Sequence, residues 1–209
     1  MTQSSISFDV EQRAFELYFR MLGEFNNAFT GLEHMLTCAI KNTLSHQLKD
    51  GADEWLINAI VGSMRIGPAT DTVKRILRVQ NAGKSKLNLA EKAFAQTGEI
   101  ARLRNRLAHN RTVLRGTDER HMFVNYDFAA ATELSKSEFI SFQPGTIRLA
   151  SEDLVAITKL LDTLISMHHG SIAEAELVLP TWQYRPSALG RHRPLSSGNR
   201  KAPKPPPRS

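Results

Sequence analysis

Apolar residues recur every three or four positions along most of this chain, which is the spacing of one face of an α-helix. The longest stripe follows a possible cap at Ser7 or Asp9 and runs to about Leu48. It comprises Phe15, Tyr18, Leu22, Phe25, Phe29, Leu32, Leu36 and Ala39. A second apolar set (Leu17, Met21, Ala28 and Met35) widens the stripe. The pattern therefore predicts a central helix that is buried on more than one side.

Four further helices are predicted from the same spacing. They run from Glu54 to about Arg65, from about Ala69 to Val79, from about Leu87 to Asn110, and from a cap at Ser151-Glu152-Asp153 to about Val178. Turn residues such as Gly67-Pro68 separate them. The pattern is typical of an up-and-down helical bundle.

The spacing shortens to two residues between about 121 and 149. Alternating apolar positions are Met122, Val124, Tyr126 and Phe128, then Ile140 and Phe142, then Ile147 and Leu149 beyond a Pro144-Gly145 turn. This alternation predicts a small β-hairpin appendage of two or three strands. The chain from Pro180 onward is rich in Pro, Arg and Ser, which is typical of disorder.

These patterns together predict a mostly α fold. It consists of a flexible N-terminus over 1–8, a helical domain over 9–179 that carries the β appendage, and a disordered tail over 180–209.

The net charge of +6 is not spread evenly along the chain. Residues 181–209 hold seven basic residues and no acidic ones, which leaves 20 basic against 21 acidic residues in 1–180. The predicted domain therefore lacks a general basic surface for nucleic acid. The tail is free to bind RNA, an acidic surface or a peptide-binding domain.

Cysteine usage and hydropathy indicate the compartment. A single cysteine, Cys38, excludes an internal disulfide and a multi-thiolate metal site, which points to a reducing environment. No signal peptide precedes the first helix, and no apolar stretch approaches the roughly 20 residues that cross a bilayer. We expect a soluble, cytoplasmic protein that does not enter a membrane.

One short segment carries specific chemistry: Arg104-Asn105-Arg106-Leu107-Ala108-His109, near the end of the fourth predicted helix. Its arginine stays charged and binds phosphate oxygens through a fork of donors. Its histidine belongs to the residue type whose reference pKa, ~6.5, suits proton transfer at neutral pH. Ala101 and Ala108 lie beneath the polar residues, so this face of the helix is suited to close contact with a second copy.

The segment resembles the motif of the HEPN superfamily, in which Arg and His are separated by about four to six residues and Asn or Asp often follows the Arg. The resemblance implies a helical bundle, a homodimer that brings two motif helices together, and often metal-independent endoribonuclease activity. It also implies a toxin or phage-defence effector, frequently paired with a nucleotidyltransferase-like antitoxin. Some members of the superfamily only bind or scaffold.

RNA supplies its own nucleophile, the 2′-OH, so cleavage needs only proton transfer and neutralisation of charge at the phosphate. We assign proton transfer to His109, phosphate binding to Arg104, and orientation of the imidazole or the phosphate to Asn105. The expected product is a 2′,3′-cyclic phosphate, and neither metal nor cofactor is needed. Arg102, Arg106 and Arg111 either steer the RNA backbone or are solvated cations at a helix end.

Two alternatives to a homodimeric endoribonuclease remain at this point. The first is a non-catalytic HEPN-like module that binds RNA or a protein through its basic tail. The second is a structural helical protein in which Arg104 and His109 complete internal hydrogen bonds.

Overall fold

The computed structural model describes residues 3–47, 54–62, 64–109, 111–115, 122–126, 139–166 and 180–192. The elements in chain order are α1 (Gln3–Gln47), α2 (Glu54–Val61), α3 (Ile66–Val79), α4 (Lys84–His109), β1 (Arg111–Arg115), β2 (Met122–Tyr126), β3 (Phe139–Phe142), α5 (Pro144–Ser166), a 3-10 turn (Pro186–Ala188) and β4 (Gly190–His192). The chain is a mostly α fold with a small antiparallel sheet, as the apolar spacing predicts.

Helix α1 is the centre of the bundle. It packs against α2, α3 and α5, and its buried side chains are Ala14, Tyr18, Phe25, Phe29, Leu32, Leu36 and Ile40. Both α3 and α5 also contact α4, so each of these two helices joins α1 to α4. Packing of α1 on several sides confirms the interpretation of its wide apolar stripe.

The described strands form one antiparallel sheet in the order β1-β2-β3-β4. Aromatic residues attach the sheet to α1, because the ring of Tyr18 stacks on that of Phe123 at 4.6 Å between centroids, and Phe123 stacks on Phe142 at 6.0 Å. The Tyr18 hydroxyl donates a hydrogen bond to Oγ1 of Thr112 in β1, at 3.1 Å. The sheet therefore packs onto the bundle rather than projecting from it.

The last helix begins seven residues earlier than the sequence pattern predicts. Pro144 is its first residue, where a missing N–H costs no helical hydrogen bond. Ile147 and Leu149, predicted as strand, lie in this helix, and Ile147 is fully buried. The Ser151 hydroxyl donates to the Ile147 carbonyl oxygen within the helix at 3.1 Å, so the predicted cap at Ser151 was wrong. Residues 167–178, predicted to extend the helix, lie outside the described residues.

Two strands were missed. Strand β1 follows α4 after a single residue, and its short run Thr-Val-Leu lies between two arginines, which gives little alternation to detect. Strand β4 consists of Gly, Arg and His, so nothing apolar marks it, and its pairing with β3 is made by the backbone.

The N-terminus also differs from the prediction. Helix α1 begins at Gln3, so residues 3–8 are helical rather than a flexible segment, and Ser7 and Asp9 are not its caps. The first ten residues contain neither Gly nor Pro, so nothing in them stops the helix from extending toward the N-terminus.

The chain from Pro180 to His192, predicted to be disordered, packs onto the bundle, and we call it the strap. Its attachment is the buried Asp153 carboxylate, which accepts backbone N–H groups from Gln183 at 2.8 Å and Tyr184 at 3.0 Å. The Gln96 side-chain amide donates both to Asp153 at 2.8 Å and to the Tyr184 carbonyl at 3.0 Å. Three polar contacts to one buried carboxylate offset the cost of burying its charge.

In the part of the chain that the structure describes, no helix combines the length and apolar character that crossing a membrane requires.

We expect Asp153→Asn to destabilise the fold by about 2–4 kcal/mol, because an amide replaces a charged acceptor that holds three donors. Urea unfolding measures the loss, and faster tryptic cleavage after Arg191, which His192 follows, reports release of the strap. Asp162→Asn is the matched control, since Asp162 is exposed on the same helix. Equal stability of both variants would contradict this role for Asp153.

Tyr18→Phe tests the contact between helix and sheet. Burial raises the pKa of the Tyr18 phenol, and the hydrogen bond with Thr112 offsets part of that rise. Because the folded pKa lies above the unfolded value near ~10, the stabilisation is complete below that pH and is lost as the pH rises through the folded pKa. We expect the variant to lose about 0.5–1.5 kcal/mol at neutral pH. Urea unfolding at increasing alkaline pH should show a smaller decrease in the free energy of unfolding for the variant than for the wild type. An equal decrease in both proteins would refute this role of the Tyr18 hydroxyl.

Candidate functional site

The motif occupies the last two turns of α4. Leu103 and Leu107, at 2% and 6% exposure, anchor these turns in the core. Asn105, Ala108 and His109 are consequently exposed. The apolar spacing of α4 thus decides which motif side chains can meet a substrate.

Arg104 is half-buried and held in place by an aromatic ring. Its guanidinium carbon lies 5.5 Å from the centroid of the Phe29 ring of α1, within the range of a cation–π contact. Its Nη1 donates to Oδ1 of Asn105 at 3.5 Å, which is long for a hydrogen bond. The ring covers the guanidinium on one side, so Arg104 has a restricted position but remains available to a phosphate.

His109 is the last residue of α4, and its imidazole is exposed. Among the described residues, none forms a hydrogen bond or an ion pair with this imidazole. The position therefore leaves both ring nitrogens open to a ligand, and it excludes the internal role that the structural alternative requires of His109.

An exposed strip on α4 connects the motif to the preceding turns. Gly98, Arg102, Asn105 and His109 are spaced by four, three and four residues, and all four are exposed. At about 100° per residue they fall within roughly 60° of one another on the helix circumference. Small residues, Gly98 and Ala108, lie on or beside this strip, which suits close contact with another helix.

Arg104 and His109 do not converge on one point of the same helix. Four residues lie between them, which places them about 140° apart around the helix axis and about 7.5 Å apart along it. The predicted orientation of the imidazole by Asn105 is also not formed, because the Asn105 carbonyl faces Arg104 instead. A site in which these residues act on one phosphate therefore requires His109 of one copy to approach Arg104 of another, or requires the RNA to span the helix.

The three accompanying arginines differ from one another. Arg102 is exposed and ion-paired with Glu99, whose carboxylate raises the pKa of the guanidinium. Arg106 is half-buried, and its Nε is shielded from solvent without a hydrogen-bond partner among the described residues. It is not the freely solvated cation that one interpretation of the sequence offered. The Arg111 backbone opens β1, and its side chain lies outside what the structure describes.

Two contacts at the site were not predicted from sequence. Phe29 belongs to the apolar stripe of α1, and nothing in its spacing indicates that it supports an arginine of α4. The network of Gln96, Asp153 and Tyr184 was also missed, although a glutamine on the apolar face of α4 is a detectable signal. Such a buried polar residue needs a partner, and here the partner comes from the strap.

No group of three His, Cys, Asp or Glu side chains among the described residues is arranged to hold a metal ion. Comparisons of the chain with protein-family models, with curated proteins and with solved structures each gave no match.

Proposed function

We propose that this chain is a metal-independent endoribonuclease that cleaves RNA through its own 2′-OH, and that it acts as a toxin or phage-defence effector. The observation that carries the proposal is the open imidazole of His109 at the end of a helix that also presents the restrained cation of Arg104. The resemblance of the motif to HEPN ribonucleases adds the biological setting.

The reaction follows from these two groups. The neutral imidazole of His109 takes the proton of the 2′-OH, and the oxygen attacks the adjacent phosphorus. The bond from phosphorus to the 5′-oxygen breaks, and an imidazolium donates a proton to the leaving oxygen. The products are a 2′,3′-cyclic phosphate and a 5′-hydroxyl, so no water, oxidant or cofactor is consumed.

We assign to Arg104 the stabilisation of the phosphorane. Its fixed charge neutralises the oxygens on which negative charge develops, and stacking on Phe29 restricts the guanidinium before RNA arrives. A group that is already oriented loses less entropy when the transition state forms.

A homodimer supplies what one copy lacks. One imidazole acts poorly as both base and acid in a single turnover, whereas two copies of His109 divide these roles. The exposed strip of α4, with its small residues, is the surface on which we place the contact between copies. This arrangement also brings His109 of one copy toward Arg104 of the other.

His109→Ala should lower the rate of RNA cleavage in EDTA by about 10²–10⁴-fold, because the base is removed. Arg104→Ala should lower it by about 10²–10³-fold through lost charge stabilisation. The assay follows a labelled single-stranded RNA and identifies the cyclic phosphate by its conversion with acid. Expression of the wild type should arrest growth, and expression of the His109→Ala variant should not.

His46→Ala is the matched control, since His46 is also exposed at the C-terminal end of a helix but lacks the arginine partner. It should cleave at the wild-type rate. The His109→Ala variant should unfold in urea within ~0.5 kcal/mol of the wild type, because the side chain is on the surface. Undiminished cleavage by that variant would exclude catalysis by His109, and RNA binding without cleavage by the wild type would favour the non-catalytic module.

A further inference from the structure

The positive charge of this chain is concentrated beyond the described strap. Residues 193–209 contain five basic residues and no acidic one: Arg193, Arg200, Lys201, Lys204 and Arg208. The proposed site itself offers few free cations, because Arg102 is paired with Glu99 and Arg106 is half-buried. A polyanionic substrate therefore needs charge from elsewhere in the chain.

The sheet register fixes where this basic segment starts. Arg111 pairs with Tyr126, Tyr126 with Phe139, and Phe139 with His192. These four residues form one row across the sheet, at the end where α4 leads into β1. Strand β4 runs toward this row, so its last residue, His192, lies at the same end of the sheet as the motif.

The distance is short for the chain that follows. Three strand spacings place the His192 backbone about 14 Å from that of Arg111. Arg111 lies two residues after His109, which adds at most about 7 Å. Arg200 and Lys204 follow His192 by eight and twelve residues, and fully extended chains of those lengths span at most roughly 26 and 40 Å, so both residues can reach the motif. A binding segment that is tethered within reach of a site acts there at a raised effective concentration.

We infer that residues 193–209 are a tethered arm that binds the phosphate backbone of the single-stranded RNA held at Arg104 and His109. The inference rests on the proposed function for the identity of that site. The strap gives the arm its position, because the Asp153 contacts and the β3–β4 pairing hold the chain up to the exit point. The arm contributes affinity, and the chemistry remains with the motif.

When lysine and arginine bind phosphates, counterions are released. The salt dependence of the affinity therefore measures how many phosphates are contacted. For single-stranded nucleic acid, each neutralised phosphate contributes about −0.7 to the slope of log affinity against log salt. Five contacts from the arm therefore account for a slope of up to about −3.5. A purely structural or protein-binding arm contributes nothing to this slope.

The test measures binding of fluorescein-labelled oligouridylate to the full chain carrying His109→Ala, which keeps the RNA intact. The arm variant replaces Arg193, Arg200, Lys201, Lys204 and Arg208 by Gln. The control removes the same charge from exposed positions of the bundle, with Arg65, Arg75, Lys84, Lys92 and Lys159 replaced by Gln. We expect the slope of log affinity against log salt to become shallower by up to about 3.5 in the arm variant, and by much less in the control.

Separate outcomes identify which proposal fails. An unchanged slope in the arm variant, or an equal loss in the control, would overturn the arm. Addition of residues 193–209 as a free peptide, equimolar with the arm variant, should not restore affinity, and full restoration would refute the tethering. At subsaturating RNA, the arm variant with His109 intact should cleave more slowly than the wild type, because it binds the RNA more weakly. The loss of cleavage in His109→Ala tests the proposed ribonuclease activity alone. If the wild type binds RNA through residues 193–209 but does not cleave it, the arm is supported and the ribonuclease activity is refuted.

Discussion

The buried carboxylate of Asp153 is the interaction on which this arrangement depends. It joins α4, α5 and the strap, because it accepts donors from Gln96 and from the backbone of Gln183 and Tyr184. A carboxylate at 2% exposure costs several kcal/mol to desolvate, so it is stable only while these donors are present. The strap then carries the chain to β4 and completes the sheet at the end that α4 enters.

The proposed site depends on this scaffold in two ways. Helix α4 is held at its middle by Gln96 and at its end by Leu103 and Leu107, so the exposed strip has a fixed direction. Arg104 is restrained from the other side by Phe29 of α1. Rigid elements rather than loops thus present both chemical groups, which favours a site that needs little reorganisation when RNA binds. Residues 193–209, which follow the strap, hold five basic residues and no acidic one.

Much of the bundle follows from apolar spacing alone. Phe25, Leu32 and Leu36 in α1, and Ile157 and Leu161 in α5, are buried where the pattern places them. The start of α5 and strand β4 do not follow from it, because Pro144 serves equally in a turn or at a helix start and Gly190–His192 pairs through its backbone. The strap was assigned to disorder from composition, since its binding depends on Asp153, about 30 residues earlier in the chain. For the site, exposure of His109 was predictable and the Arg104–Phe29 contact was not, because spacing within one helix does not report its neighbours.

The central claim is that two copies of His109 share one phosphate, as acid and base. Mixing wild-type protein with the His109→Ala variant at constant total concentration, after subunit exchange, tests it directly. If each site needs both imidazoles, activity falls with the square of the wild-type fraction, to about one quarter at equal mixing in a two-fold dimer. Activity that falls in simple proportion, to about one half in the same mixture, would show that each chain cleaves alone and would contradict the account.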